Sequence, residues 1–100
     1  MGIDFEIMVK TPWGRGETVA GLKLSYTRFW EIVDAMSGRY RQLAEMMYTY
    51  HGTRRPVPKR IVRKFLKGLK RVVGKVERAD ELYQFLLEYL EMPHARLYLN

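Results

Sequence analysis

The chain has 100 residues, with 18 Lys+Arg against 11 Asp+Glu for a formal net charge of +7, 47% apolar residues and no cysteine. That length fits one compact domain that buries roughly 60–70% of its unfolded-chain surface, and the apolar content argues against disorder despite the charge. The lack of cysteine removes disulfides, thiolate nucleophiles and cysteine-based zinc sites together.

Uninterrupted apolar runs reach only two or three residues, so no membrane-spanning helix is expected. The opening MGIDFEIMVK carries acids and alternates apolar with polar, unlike a signal or transit peptide. Met1-Gly2 resembles an acylation site, but Glu6 stands where Ser or Thr is required. The expected location is cytoplasmic or otherwise intracellular, with a virion-associated protein as a variant of it. Only Gln42, Gln84 and Asn100 are amides, a depletion that suits a heat-adapted organism or its virus.

Ile3, Phe5, Ile7 and Val9 alternate with Asp4, Glu6, Met8 and Lys10, which predicts a half-buried strand. Thr11-Pro12-Trp13-Gly14-Arg15-Gly16 marks a turn, and Ala20, Leu22 and Leu24 alternate again beyond it. Residues 1–25 therefore read as a β-hairpin.

From Thr27 the period becomes helical: Phe29, Ile32, Val33 and Met36, then Tyr40, Leu43, Ala44, Met47 and Tyr50. Ser25 or Thr27 is the N-cap candidate, and Ser37-Gly38 divides residues 27–52 into two tightly joined helices. Pro56 and Pro58 keep their predecessors extended, and Pro58 suits a helix start. A basic amphipathic helix is predicted over 58–74 and an acidic, apolar one over 78–91. A short strand over 95–99 completes a small antiparallel sheet. The fold class is α+β, a single domain with helices on one face of the sheet.

The charge is concentrated. Residues 54–76 carry ten bases and no acid, whereas residues 1–53 balance and residues 77–100 are net acidic. On the predicted third helix, Ile61, Val62, Phe65, Leu66, Leu69, Val72, Val73 and Val76 form one arc. Lys59, Arg60, Arg63, Lys64, Lys67, Lys70, Arg71, Lys75 and Arg78 form the opposing one. An ordinary solvated face mixes signs, because like charges repel. Such a row over about 25 Å can meet successive phosphates of a nucleic-acid backbone.

Arg54 and Arg55 lengthen the track as a short arm. Trp13 and Arg15 place an aromatic and a base at the hairpin tip, where stacking on an unpaired base competes with simple cover of the core edge. Gly74 reads either as a point of close backbone approach or as a helix end. Tyr40, Tyr48 and Tyr50 suit the rim of the core better than base stacking.

The expected function is a small basic protein that binds DNA or RNA through phosphates with little sequence specificity, in an architectural, packaging or accessory role. The basic helix lacks Asn and Gln, which adenine readout favours. The helix pair followed by a basic helix resembles a helix-turn-helix, but the proline-containing connector is longer than the usual turn. The alternative is an interaction adaptor or viral structural subunit whose basic helix docks an acidic partner or an anionic membrane.

Leu82, Phe85, Leu86 and Tyr89 spread apolar surface around the fourth helix, which either the core or a homodimer would bury. No catalytic residue, metal ligand set or cofactor motif is expected. His51 and His94 fall in separate predicted loops, the basic track holds no acids, and glycine-rich phosphate loops are missing.

Overall fold

A computed structural model gives the architecture of the chain and describes residues 2–100. Strands β1 (Gly2–Lys10) and β2 (Gly16–Ser25) form the hairpin, and β3 (Ala95–Leu99) closes the sheet. The strand order is β2-β1-β3, antiparallel throughout. Between them run helices α1 (Tyr26–Ala35), α2 (Gly38–Tyr48), α3 (Lys59–Leu69) and α4 (Ala79–Leu90). The radius of gyration is 13.1 Å, close to the ~13 Å expected for this length.

The register follows from the alternation. Phe5 lies opposite Leu22 on one side and Leu99 on the other, and Ile7 lies opposite Ala20 and Leu97. Ile3, Phe5, Ile7, Leu24, Ala95, Leu97 and Leu99 are thereby buried on one face. The helices cover that face, with Phe29 of α1 6.0 Å and Phe85 of α4 6.4 Å from the Phe5 ring. Val19 has no partner, because Ile7 pairs with Ala20 and Met8 with Thr18. This bulge leaves Val19 exposed and keeps Ala20, Leu22 and Leu24 pointing inward.

Ser25 caps α1, its Oγ accepting the Arg28 N–H at 3.1 Å. The predicted division at Ser37-Gly38 is present, although Gly38 opens α2 rather than ending α1. The connector after α2 is pinned rather than free. Gly52, at φ +72°, donates its N–H to Leu99 O at 2.9 Å, and Val57 donates to Leu97 O at 2.8 Å. Those bonds cover the outer edge of β3.

Two predictions are corrected. The basic helix is shorter than 58–74: α3 stops at Leu69, and Lys70–Val72 tightens into a 3-10 turn. Val72 is buried there, and Gly74, at φ +81°, reverses the chain. The Lys75 and Val76 N–H groups then both donate to Val72 O. Gly74 is thus a turn residue beyond the helix.

The second correction concerns the proposed dimer surface. Leu82 and Leu86 are fully buried, and Tyr89 and Phe85 nearly so. The broad apolar surface of α4 is consumed by the sheet on one side and α3 on the other, so these four residues offer nothing to a second copy. Each such side chain contributes about 1.5–3 kcal/mol by burial within its own chain.

Candidate nucleic-acid interface

Helix α3 packs between α2 and α4, burying Ile61, Val62, Phe65, Leu66 and Leu69. The helical period then leaves Arg60, Arg63, Lys64 and Lys67 exposed on the opposite side. Lys70 and Arg71 are exposed on the 3-10 turn, and Lys75 follows in the next turn. The helix and 3-10 turn together extend the row over about 22 Å, somewhat less than an uninterrupted helix would.

Among the described residues, five acids form ion pairs, all with bases outside this row. Arg28 pairs with Glu31 at 2.9 Å and Glu77 at 3.0 Å. Arg41 pairs with Asp34 at 2.6 Å and Glu45 at 3.5 Å, and Arg78 with Glu81 at 3.2 Å. Among the described residues, no carboxylate forms an ion pair with a base of α3 or of the 3-10 turn.

The predicted bases are not equivalent. Lys59 is half-buried: its Nζ donates to Met92 O at 2.7 Å and stands 5.3 Å from the centre of the Tyr89 ring. The Arg71 guanidinium covers the Tyr40 ring at 5.4 Å. Arg78 caps α4 in a left-handed conformation, φ +66°, and its Nη1 donates to Lys23 O at 2.9 Å. These three bases make contacts within the fold. Tyr89 has its pKa raised by burial, with the Leu97 backbone and the Arg63 charge pulling the other way.

Arg54 and Arg55 are exposed, but on the pinned connector rather than on a mobile arm. Arg54 adopts φ +61°, and the Arg55 N–H donates to Thr53 Oγ1 at 3.2 Å. Tyr40, Tyr48 and Tyr50 are half-buried against the core. Tyr48 stacks on His51 at 5.1 Å and meets Trp30 edge-on at 5.4 Å, and burial raises its pKa.

Trp13 and Arg15 lie on a separate feature. The hairpin loop is closed by the Thr11 N–H donating to Arg15 O at 2.7 Å and the Gly14 N–H to Thr11 O at 3.0 Å. Gly14 takes φ +84°, which favours glycine. Trp13 is 82% exposed, so it does not cover the core edge.

Behind the tip, a groove of about 830 Å³ runs between the hairpin and the α4–β3 loop. Lys10, His94, Arg96 and Tyr98 line it, none of them singled out by sequence reasoning. The alternation of β1 and β3 marks Lys10, Arg96 and Tyr98 as outward-facing. Only the pairing of the two strands brings them together.

Among the described residues, no group of three or more His, Asp or Glu side chains is placed to hold a metal ion, and no helix is long and apolar enough to cross a membrane. No family model, curated protein or solved structure matches the chain.

Proposed function

We propose that the chain is a non-enzymatic nucleic-acid-binding protein that engages the phosphate backbone through the exposed face of α3 and its 3-10 extension. The observation that carries this reading is the unpaired row Arg60, Arg63, Lys64, Lys67 and Lys70. Among the described residues, every ion pair uses Arg28, Arg41 or Arg78 instead. A row of unneutralised cations along about 22 Å is a poor design for a merely solvated surface, because its members repel. It suits a polyanion, whose condensed counterions are released as each phosphate is met. The cations are Lys and Arg without amides beside them, so contacts to phosphate dominate and sequence readout is slight.

Insertion of α3 into a membrane fits less well. The apolar residues that would enter lipid, Ile61, Val62, Phe65, Leu66 and Leu69, are already buried in the domain.

The test is anisotropy of labelled duplex DNA, single-stranded DNA and RNA between about 50 and 300 mM salt. A log–log slope of roughly −4 to −8 is expected. Changing Lys64, Lys67 and Lys70 to Glu should abolish binding while circular dichroism stays unchanged. A folded triple variant that binds as the parent does sinks the assigned surface. Absence of binding to all three polymers transfers the reading to an acidic protein partner.

A further inference from the structure

We infer that the groove behind the hairpin tip is a subsite for an unpaired nucleotide, so that the preferred polymer presents a single-stranded segment. This rests on the proposed nucleic-acid binding and adds to it a second point of contact.

The groove lies at the end of the sheet, where the hairpin loop meets the α4–β3 loop, and takes Met8, Lys10, Arg96 and Tyr98 from the face that the helices leave open. Met8 pairs with Arg96 and Glu6 with Tyr98, and these side chains project opposite to the buried Ile7 and Leu97. Its lining combines Lys10, His94 and Arg96 with Tyr98 and contains no Asp or Glu. Of the acids on the same face, Glu6 is the cross-strand neighbour of Tyr98 but lies outside the lining and accepts from Asn100 Nδ2 at 3.0 Å, and Asp4 lies further along β1, opposite Lys23 in the register. The groove is therefore complementary to an anionic group.

Gly14 and Gly16 contribute bare backbone to its wall, with no atom within 4 Å of where a β-carbon on Gly14 would lie. A ligand can approach the main chain closely there. At about 830 Å³ the space is large enough for a nucleotide, in an open groove rather than an enclosed cavity.

Trp13 gives the ligand its second half. It is not part of the lining but stands in the chain between Pro12 and Gly14, which are, and it is 82% exposed on a loop whose backbone is fixed by hydrogen bonds. A solvated indole on the loop that walls a cationic groove suits a nucleobase linked to a phosphate. The ring takes the π-face, and Arg96 and Lys10 take the charge. A paired base keeps its faces inside the duplex stack, so only an unpaired one fits.

The groove wall is tied to the start of α3 through Lys59. Lys59, on the first turn of α3, bonds Met92 O, and Pro93 and His94 follow directly as the groove wall.

The experiment compares a labelled oligothymidylate with a duplex of equal length, reading anisotropy and tryptophan fluorescence together. The signal of Trp13 is isolated by subtracting the Trp13→Phe variant, because Trp30 is packed against Phe29 and Tyr48. The single strand should quench Trp13, whereas the duplex and heparin, a polyanion without bases, should not. Trp13→Ala and Arg96→Ala, both at exposed positions, should each weaken single-strand binding about tenfold and change duplex binding by less than about twofold. If the oligothymidylate binds with no Trp13 quenching and both variants bind it as the parent does, the subsite is overturned and the α3 reading stands. If neither polymer binds the parent protein, both readings fall together.

Discussion

Gly68 of α3 lies against the root of the Tyr40 side chain of α2. A β-carbon built on Gly68 would stand 2.6 Å from Tyr40 Cβ and 2.7 Å from Met36 Cε, and nearer still to Tyr40 Cγ. The Tyr40 Cβ is fixed to its backbone, so no rotamer change makes room, and the two helices would have to part. Alanine in a helix normally gains about 0.8–1.0 kcal/mol over glycine. Overpacking here costs about 1–3 kcal/mol, and more at contacts this close to the main chain. Gly68→Ala should therefore lose about 1–2 kcal/mol net, lowering Tm by roughly 5–15 °C. A thermal melt decides it, and an unchanged or higher Tm would show that α2 and α3 separate freely.

That contact also shows where the sequence stops being legible. Each strand buries one face only, so Ile3-Phe5-Ile7 and Ala95-Leu97-Leu99 reveal both the strands and their inner sides. The joint at Ser37-Gly38 and the cap at Ser25 are equally local signals. Gly68, by contrast, reads as a neutral interruption of α3, because what makes it necessary is a tyrosine on another helix. The end of α3 is hidden for a related reason. The apolar period runs on through Val72, Val73 and Val76, while the chain turns at Gly74 to bury Val72. The cationic face survives that error, since the period of α3 sets Arg60, Arg63, Lys64 and Lys67 outward and Lys70 stays exposed on the 3-10 turn. The groove does not show in the sequence at all: Lys10 and Arg96 come from opposite ends of the chain, and only sheet pairing joins them.

The bases of the third helix should separate into two classes on mutation. Lys59 makes a charged hydrogen bond to Met92 O and covers the Tyr89 ring, whereas Lys67 is exposed and forms no ion pair. Lys59→Ala should cost about 1–3 kcal/mol of stability. Lys67→Ala should change stability by less than about 0.5 kcal/mol, yet weaken nucleic-acid binding and reduce the salt slope by roughly one unit. Urea unfolding and salt-dependent anisotropy on both variants test this. Equal stability losses would contradict the division.

Alkaline pH should destabilise the protein through its buried phenols. Burial raises the pKa of Tyr89 above the ordinary value of 10.0, and burial followed by the Tyr26 hydrogen bond does the same for Tyr48. Above pH 10 the unfolded chain releases these protons while the folded chain retains them. Stability is then greatest below pH 10 and falls as the pH rises towards the folded values. Tyr89→Phe removes one of the two groups, so its stability should decline less than that of the parent between about pH 9 and 11. Denaturant titrations across that range read the difference. Parallel curves would mean that Tyr89 ionises as freely in the fold as outside it.

Self-repulsion on α3 should be measurable as stability that salt restores. Within the helix, Lys59 and Arg63, Arg60 and Lys64, and Arg63 and Lys67 are like charges four residues apart, with no acid paired to any of them. Each such pair costs about 0.2–0.5 kcal/mol at low ionic strength. The double variant Lys64→Gln, Lys67→Gln breaks two of the three pairs, and Gln matches Lys in helix propensity, so little else changes. It should be more stable than the parent by roughly 0.5–1 kcal/mol at about 10 mM salt, where the Debye length is near 30 Å. At about 300 mM the screening length drops below 10 Å, and the two proteins should converge. A gap that persists at high salt would mean that packing rather than charge separates them, and an initially less stable variant would mean that the row is compensated inside the fold. The expected result is a surface that holds its charge at a cost to the free protein, a cost that a bound polyanion would relieve.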